Sequence, residues 1–243
     1  MPAYRYRPGT LRVNRVHFPV TVLGYGARLG IWVQGCPLAC RGCIARDTWP
    51  SDGGFDLSVS DLAQLWQQAV EMGADGVTVS GGEPLAQPAG LGELLAALSA
   101  VRAELTGAGG AAAGRDLDIL VYTGYEQAEL TAALRQAVEA ADVLITGRFQ
   151  AGAPTRLVWR GSANQEMHLR TPLAARRYAA LADHQPDRAP MQVSIDGDNI
   201  WFIGVPRVGD MPRLERELRR RGIRVDAVSW RGSNPAGSPC GTS

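Results

Sequence analysis

The sequence predicts an α/β protein: a partial, open β/α barrel over residues 11–170, a small α+β extension over 171–231 and a disordered tail over 232–243. Three observations carry this. Short apolar runs alternate with amphipathic stretches of helical length, the pattern of βαβ units around a parallel sheet. The runs end in polar or glycine-rich turns, and sites in such sheets gather at the carboxyl ends of strands. Beyond residue 170 the alternation stops and gives way to two apolar runs around Asp196-Gly197-Asp198, a hairpin signal.

Val13–Pro19 and Gly30–Gln34 are expected strands, the second running into a cysteine loop. Residues 47–56 are polar, contain Pro50, Gly53 and Gly54, and read as loop. Ser60 and Asp61 offer N-caps for a helix to about Met72, with Leu62, Leu65, Trp66, Ala69 and Val70 at helical spacing and Gly73 as its stop. Gly76–Ser80 is a short buried strand that ends in Gly81-Gly82-Glu83-Pro84. Leu91–Leu105 is a helix, and Gly107–Gly114, all Gly and Ala, a flexible surface connection. A strand Asp118–Tyr122, a helix Glu126–Ala140 and a strand Val143–Thr146 repeat the alternation. The extension holds a helix over Leu173–Ala182, strands Met191–Ile195 and Asn199–Val205, an arginine-rich helix Asp210–Arg221 and a closing strand Ile223–Val228.

Composition excludes several classes. The 243 residues are 45% hydrophobic and 20% charged, with net charge +1, so no broad electrostatic footprint for nucleic acid or a membrane surface is expected. All 25 basic residues are arginine, which excludes a lysine Schiff base and a P-loop lysine. No apolar run approaches the ~18 residues of a membrane span, and residues 1–9 lack the apolar core of a secretory signal. Clustered cysteines without an export signal read as a metal or redox site, and the protein is placed in the cytoplasm.

Cys36, Cys40 and Cys43 stand in C-x3-C-x2-C spacing with no fourth cysteine nearby; Cys240 lies in the tail and is read as a free thiol. Thiolates hold iron–sulfur clusters, usually four per cluster, so three leave one iron free to bind a ligand. The alternative is a zinc site completed by His17, His168 or His184, against which stands the absence of a second ligand pair. One helix later, Ser80-Gly81-Gly82-Glu83-Pro84 joins two glycines, which let a backbone approach closely, to a carboxylate that can neutralise an ammonium group.

The cysteine spacing and the Gly-Gly-Glu-Pro turn together resemble the radical S-adenosylmethionine superfamily. The Gly42 before the third cysteine, Asp47-Thr48-Trp49, Thr123-Gly124-Tyr125, the segment 142–149 and Trp159–Gln165 are similar to the activating enzymes of anaerobic ribonucleoside-triphosphate reductases, over about Leu11–Leu169. The resemblance implies a radical-SAM-type partial barrel and one [4Fe–4S] cluster on Cys36, Cys40 and Cys43. It implies S-adenosylmethionine on the fourth iron, held by Ser80, Gly81, Gly82, Glu83, Thr123 and Asn164. Reductive cleavage would give a 5'-deoxyadenosyl radical, which would place a glycyl radical on a reductase partner, with a flavodoxin- or ferredoxin-type protein as electron donor. No catalytic residue beyond the cluster is assigned. Two departures stand out: roughly 70 residues follow the resembling part, enough for a small unit, and Thr146 replaces a second acid before Gly147. The extension leaves open a radical enzyme acting directly on a small molecule or peptide, and the cysteines alone leave open a non-catalytic zinc or cluster-binding module.

Among lesser candidates, Tyr122, Thr123 and Tyr125 are placed at the adenosine or substrate pocket, with the core as the alternative for Tyr122. Arg160 is read as an anion contact or a surface ion pair, Gln165 as a cofactor contact or a loop tie, and His168 as structural. Arg213–Arg224 carries six arginines and reads as a solvated helix face or an acidic-partner contact.

Overall fold

The computed structural model describes residues 7–197, 199–224 and 228–230. A seven-stranded sheet forms its centre, in the order β3-β1-β2-β4-β5-β6-β7. The strands are β1 (Thr10–Val20), β2 (Arg28–Val33), β3 (Phe55–Ser58), β4 (Gly76–Gly81), β5 (Asp118–Tyr122), β6 (Val143–Thr146) and β7 (Glu166–Leu169). The central four, β2-β4-β5-β6, are parallel. Antiparallel strands flank them, β1 and β3 on one side and β7 on the other. The sheet therefore stays an open β/α sheet with antiparallel margins.

Helices α1 (Val59–Glu71), α2 (Pro88–Thr106) and α3 (Ala132–Ala137) complete the crossovers. Strand alternation sorts the core. Ile31, Val33, Val77, Val79, Ile119, Val121 and Leu144 pack with the helices in one apolar cluster. Leu120, Val143 and Ile145 face the other way, onto Val158, Trp159 and α4 (Pro172–Tyr178). On this second face a buried ion pair fills the base of the sheet. Arg28 donates to both Asp118 carboxylate oxygens, at 2.6 and 3.2 Å, and to Thr78 Oγ1 at 2.6 Å. Tyr178 Oη donates to Asp118 at 2.9 Å, tying α4 to the sheet. Gly76 is required here, because a Cβ would lie 2.4 Å from the Arg28 guanidinium.

The extension adds β8 (Met191–Asp196), β9 (Asn199–Gly204) and α5 (Asp210–Arg220). β8 and β9 form the expected hairpin as a sheet of their own. It is fixed to the first strand: Gln192 accepts from Thr21 N–H at 2.9 Å and donates to Pro19 O at 2.7 Å, and Ile203 is buried against Val20, Val22 and Leu23.

Several expectations are corrected. α1 starts one residue earlier than its expected caps, since Ser58 is the N-cap and its hydroxyl accepts from Asp61 N–H. α2 gains its first turn from Pro88, whose fixed φ suits that position. The long helix over 126–140 splits: Glu126 and Glu129 close a capping box on one 3-10 turn, Leu130 is extended, and Thr131 caps a new start. Residues 107–114 are wound into hydrogen-bonded turns around a buried Ala112. β3 starts within the stretch read as loop, and β7 lies where no element is expected. The helix expected over 173–182 is α-helical only to Tyr178, and 3-10 over Ala179–Leu181. Of the closing strand expected over 223–228, residues 225–227 lie outside the described residues, and Ile223, Arg224 and Val228 are in no strand. The tail with Cys240 also lies outside them.

Candidate active site

The loops after β2, β4, β5 and β6 meet at one rim, as parallel strands require. The loop after β2 carries the three cysteines, all half-buried and free of disulfides. Its neck is closed by two backbone bonds, Gly35 N–H to Thr48 O at 2.8 Å and Cys36 N–H to Trp49 O at 3.1 Å. Inside the neck the chain turns through Ala39 (φ 44°) and Gly42 (φ 84°), and Cys43 N–H bonds Cys40 O at 3.1 Å. At Gly42 a side chain would also press on the Phe149 ring, 3.3 Å from the site of a Cβ.

Burial pushes the Cys36 thiol above the usual range, while the N–H groups of Ala39 and Leu38 pull it back. Cys43 is likewise raised by burial and relieved by Ala45 N–H and the Trp49 side chain. The charges of Cys36 and Cys40 are each felt at or from Cys43, which sets the three thiols in one electrostatic neighbourhood. Among the described residues no three His, Cys, Asp or Glu side chains converge closely enough to hold a single metal ion. A cluster does not ask for that, because each thiolate takes a different iron. Three thiols on a tight loop, two of them already supplied with N–H donors, therefore fit a cluster.

The Gly81-Gly82-Glu83-Pro84 turn rests directly on this loop. Gly82 N–H bonds Val33 O at 2.8 Å and Glu83 N–H bonds Gly35 O at 2.9 Å. A Cβ on Gly82 would lie 2.3 Å from Gly35 O, and one on Gly81 2.6 Å from Val33 N. The glycine pair thus serves the approach of the turn to the cysteine loop, beyond any approach to a ligand.

Glu83 is almost fully buried and its carboxylate points back into the protein. Oε1 accepts from Thr123 Oγ1 at 2.7 Å and Leu85 N–H at 2.9 Å; Oε2 accepts from Gly124 N–H at 2.7 Å. Burial raises its pKa, with Gly124, Thr123, Leu85 and Arg148 acting against the rise. Glu83 thereby clamps the β5 loop to the β4 loop. Leu38 of the cysteine loop completes the contact, leaving no room for a Cβ on Gly124, which would sit 2.4 Å from Leu38 Cδ1.

The segment 159–165 holds the loop after β6. Asn164 Nδ2 donates to Arg148 O and Gln165 Nε2 to Gly147 O, both at 2.9 Å, while Gln165 Oε1 accepts from Gly161 N–H at 2.7 Å. Asn164 Oδ1 and Tyr122 Oη are buried polar atoms without a hydrogen-bond partner. Such atoms ask for a ligand or water. The other candidates are structural. Asp142 takes Arg102, Ile119 N–H and Thr171, Thr146 bonds His168 at 3.0 Å, and Arg160 turns to Ala182 O. In α5, Glu217 takes Arg220 and Arg221, and Asp210 takes Arg213.

Beside the cysteine loop a cavity of about 660 Å³ opens on the second face of the sheet. Cys43, Ser80, Gly81, Trp32 and Tyr122 form one side of it, and β9, Met211, Ser229 and Trp230 of the extension form another. Ser229 also reaches the cysteine loop, donating from Oγ to Ile44 O at 2.8 Å. The extension's part in this cavity has no local motif and was not legible in the sequence.

Residues 22–168 match the 4Fe-4S single cluster domain. The chain belongs to that family. The anaerobic ribonucleoside-triphosphate reductase-activating protein of Salmonella typhimurium is 34% identical over 156 residues, 63% of this chain and 95% of that one. The protein of the same name from Pasteurella multocida is 37% identical over 155 residues, 61% and 92% of the two chains. A solved structure, QueE from Escherichia coli, aligns over 88% of this chain and 92% of its own at 16% identity and a TM-score of 0.40. The family's cofactor, a [4Fe–4S] cluster, accordingly belongs to this chain. The family match ends at residue 168, so the extension lies outside it.

Proposed function

We propose that the chain is a radical S-adenosylmethionine enzyme of the activating type, with the cluster on Cys36, Cys40 and Cys43 over a core of residues 11–170. The single observation that carries it is the seating of the Gly-Gly-Glu turn on the cysteine loop at the carboxyl ends of parallel strands. A [4Fe–4S] cluster held by Cys36, Cys40 and Cys43 would supply the electron that cleaves S-adenosylmethionine to methionine and a 5'-deoxyadenosyl radical, and that radical would take a hydrogen atom from the recipient. The chain's residues hold and shield that chemistry. Ser80 and Gly81 in the cavity wall, with Gly82 beside them, meet the methionine end. Behind that wall Thr123 orients the Glu83 carboxylate, which carries the negative charge there. Asn164 Oδ1 offers an acceptor at the loop after β6. Trp49 steadies the Cys43 sulfur.

The relatives' names favour an anaerobic ribonucleoside-triphosphate reductase as recipient; we take the residue attacked to be a glycine and the electron donor to be a flavodoxin- or ferredoxin-type protein. Incubating reduced, reconstituted enzyme, S-adenosylmethionine and such a reductase under argon should give a glycyl radical EPR doublet. Formation of 5'-deoxyadenosine without any doublet, using a reductase competent with its own activator, would overturn this recipient. A second recipient, a small molecule, is favoured by one specific observation: the extension walls the cavity beside Cys43.

A further inference from the structure

The extension does more than cover the sheet; it builds an arginine into the cavity wall. Arg15 on β1 pairs with Trp32 on β2 and, with it, lines the cavity. Its guanidinium lies 3.7 Å over the ring of Trp201 from β9, and His17, two residues along β1, meets the same ring edge-on at 5.9 Å. The stack fixes where the guanidinium points, as cation–π contacts do. Its polar capacity is almost unused. Among the described residues the acid that faces it is Asp47, 4.0 Å away and beyond hydrogen-bond reach. A guanidinium carries five N–H donors in a planar fork, and among the described residues no hydrogen bond engages any of them. Burial lowers the Arg15 pKa, with Asp47 acting against it, yet the group stays charged at any physiological pH. Arg224 lines the same cavity. A half-buried arginine, held by a ring stack and with its N–H donors left for a ligand in a wall next to a reaction centre, is the arrangement that takes a carboxylate or phosphate by paired hydrogen bonds.

We infer that Arg15, held by Trp201, is the anion-recognition group of a substrate subsite made by the extension, and that this subsite takes a small molecule bearing a carboxylate or a phosphate. The inference rests on the second recipient above. It assigns the extension a role in choosing the substrate, while the cysteine loop and the Gly-Gly-Glu turn deal with the cofactor.

Glutarate and inorganic phosphate serve as probes of the two anion types, titrated into the full-length, cluster-loaded protein by anaerobic calorimetry, with sodium chloride at matched ionic strength as control. At least one probe should bind saturably. Arg15→Gln should weaken it tenfold or more, and Asp47→Asn, which removes the competing carboxylate, should tighten it severalfold. S-adenosylmethionine affinity and uncoupled 5'-deoxyadenosine formation in Arg15→Gln should stay within twofold of the parent, which also reports that the variant is folded. Saturable binding of neither probe up to tens of millimolar overturns the inference, as does binding indifferent to both substitutions. Loss of S-adenosylmethionine affinity in Arg15→Gln also overturns it and returns Arg15 to the cofactor. Failure of the reductase to gain a radical bears on the first recipient alone, so the two readings fail separately.

Discussion

Replacing Thr123 by Val tests the clamp between the β4 and β5 loops. The substitution keeps the side-chain volume and removes one hydroxyl, which donates to Glu83 Oε1 at 2.7 Å and accepts from Tyr125 N–H at 3.1 Å. A hydrogen bond to a charged, buried group is worth about 1.5–3 kcal/mol. For a chain of this length about 1 kcal/mol moves Tm by roughly 2–4 °C, so Thr123→Val should lower Tm by about 3–12 °C near pH 8, read by circular dichroism. The effect should depend on pH. Glu83 already has a raised pKa, so it opposes folding as pH climbs from its unfolded pKa toward its folded one. Losing the Thr123 donor raises the folded pKa further and extends that loss to higher pH. The variant should therefore lie closer to the parent at acid pH, where Glu83 is protonated in both, and farther from it at pH 8. Thr123→Ser, which restores the donor, should recover most of the difference. A deficit that is the same at both pH values, or that Ser does not relieve, would refute the role given to the Glu83 carboxylate.

Other substitutions probe the frame and the cluster loop. Asp118→Ala leaves the fully buried Arg28 without its ion pair, and breaking such a pair costs about 3–5 kcal/mol; thermal unfolding should show a loss well above that of Thr123→Val. Gly82→Ala would put a methyl 2.3 Å from Gly35 O, so it should weaken S-adenosylmethionine binding measured by calorimetry while leaving iron content near that of the parent. Trp49→Phe removes the donor to Cys43. One hydrogen bond of about 1 kcal/mol corresponds to roughly 40 mV for a one-electron couple, so the cluster potential from an EPR redox titration should fall by up to that amount.

The parts legible in the sequence are those fixed by local pattern. The Asp118–Tyr122 and Val143–Thr146 strands were placed to the residue, because buried parallel strands are continuous apolar runs with sharp polar ends. The β8–β9 hairpin was legible for a different reason, the Asp-Gly turn signal between two apolar runs. Phe55–Ser58 and Glu166–Leu169 were not, being four-residue margin strands whose pairing is supplied by β1 and β6 rather than by their own composition. The cysteine triplet and the Gly-Gly-Glu turn announced the site, but the reason for the glycines did not show. They are set by Val33 and Gly35, 47–48 positions earlier, and only the folded sheet brings these together. The Arg15–Trp201 stack spans a still longer separation, and both residues lie outside the family match, so no motif marks it.

Reductive cleavage of S-adenosylmethionine tests the central claim most directly. The anaerobically reconstituted full chain, with about four iron and four sulfide, is given dithionite and S-adenosylmethionine, and 5'-deoxyadenosine and methionine are measured by chromatography and mass spectrometry. The account predicts both products in equal amounts, and neither from Cys40→Ser, which should also fail to hold a [4Fe–4S] cluster. An intact cluster that leaves S-adenosylmethionine whole, or cleavage that survives Cys40→Ser, would contradict it.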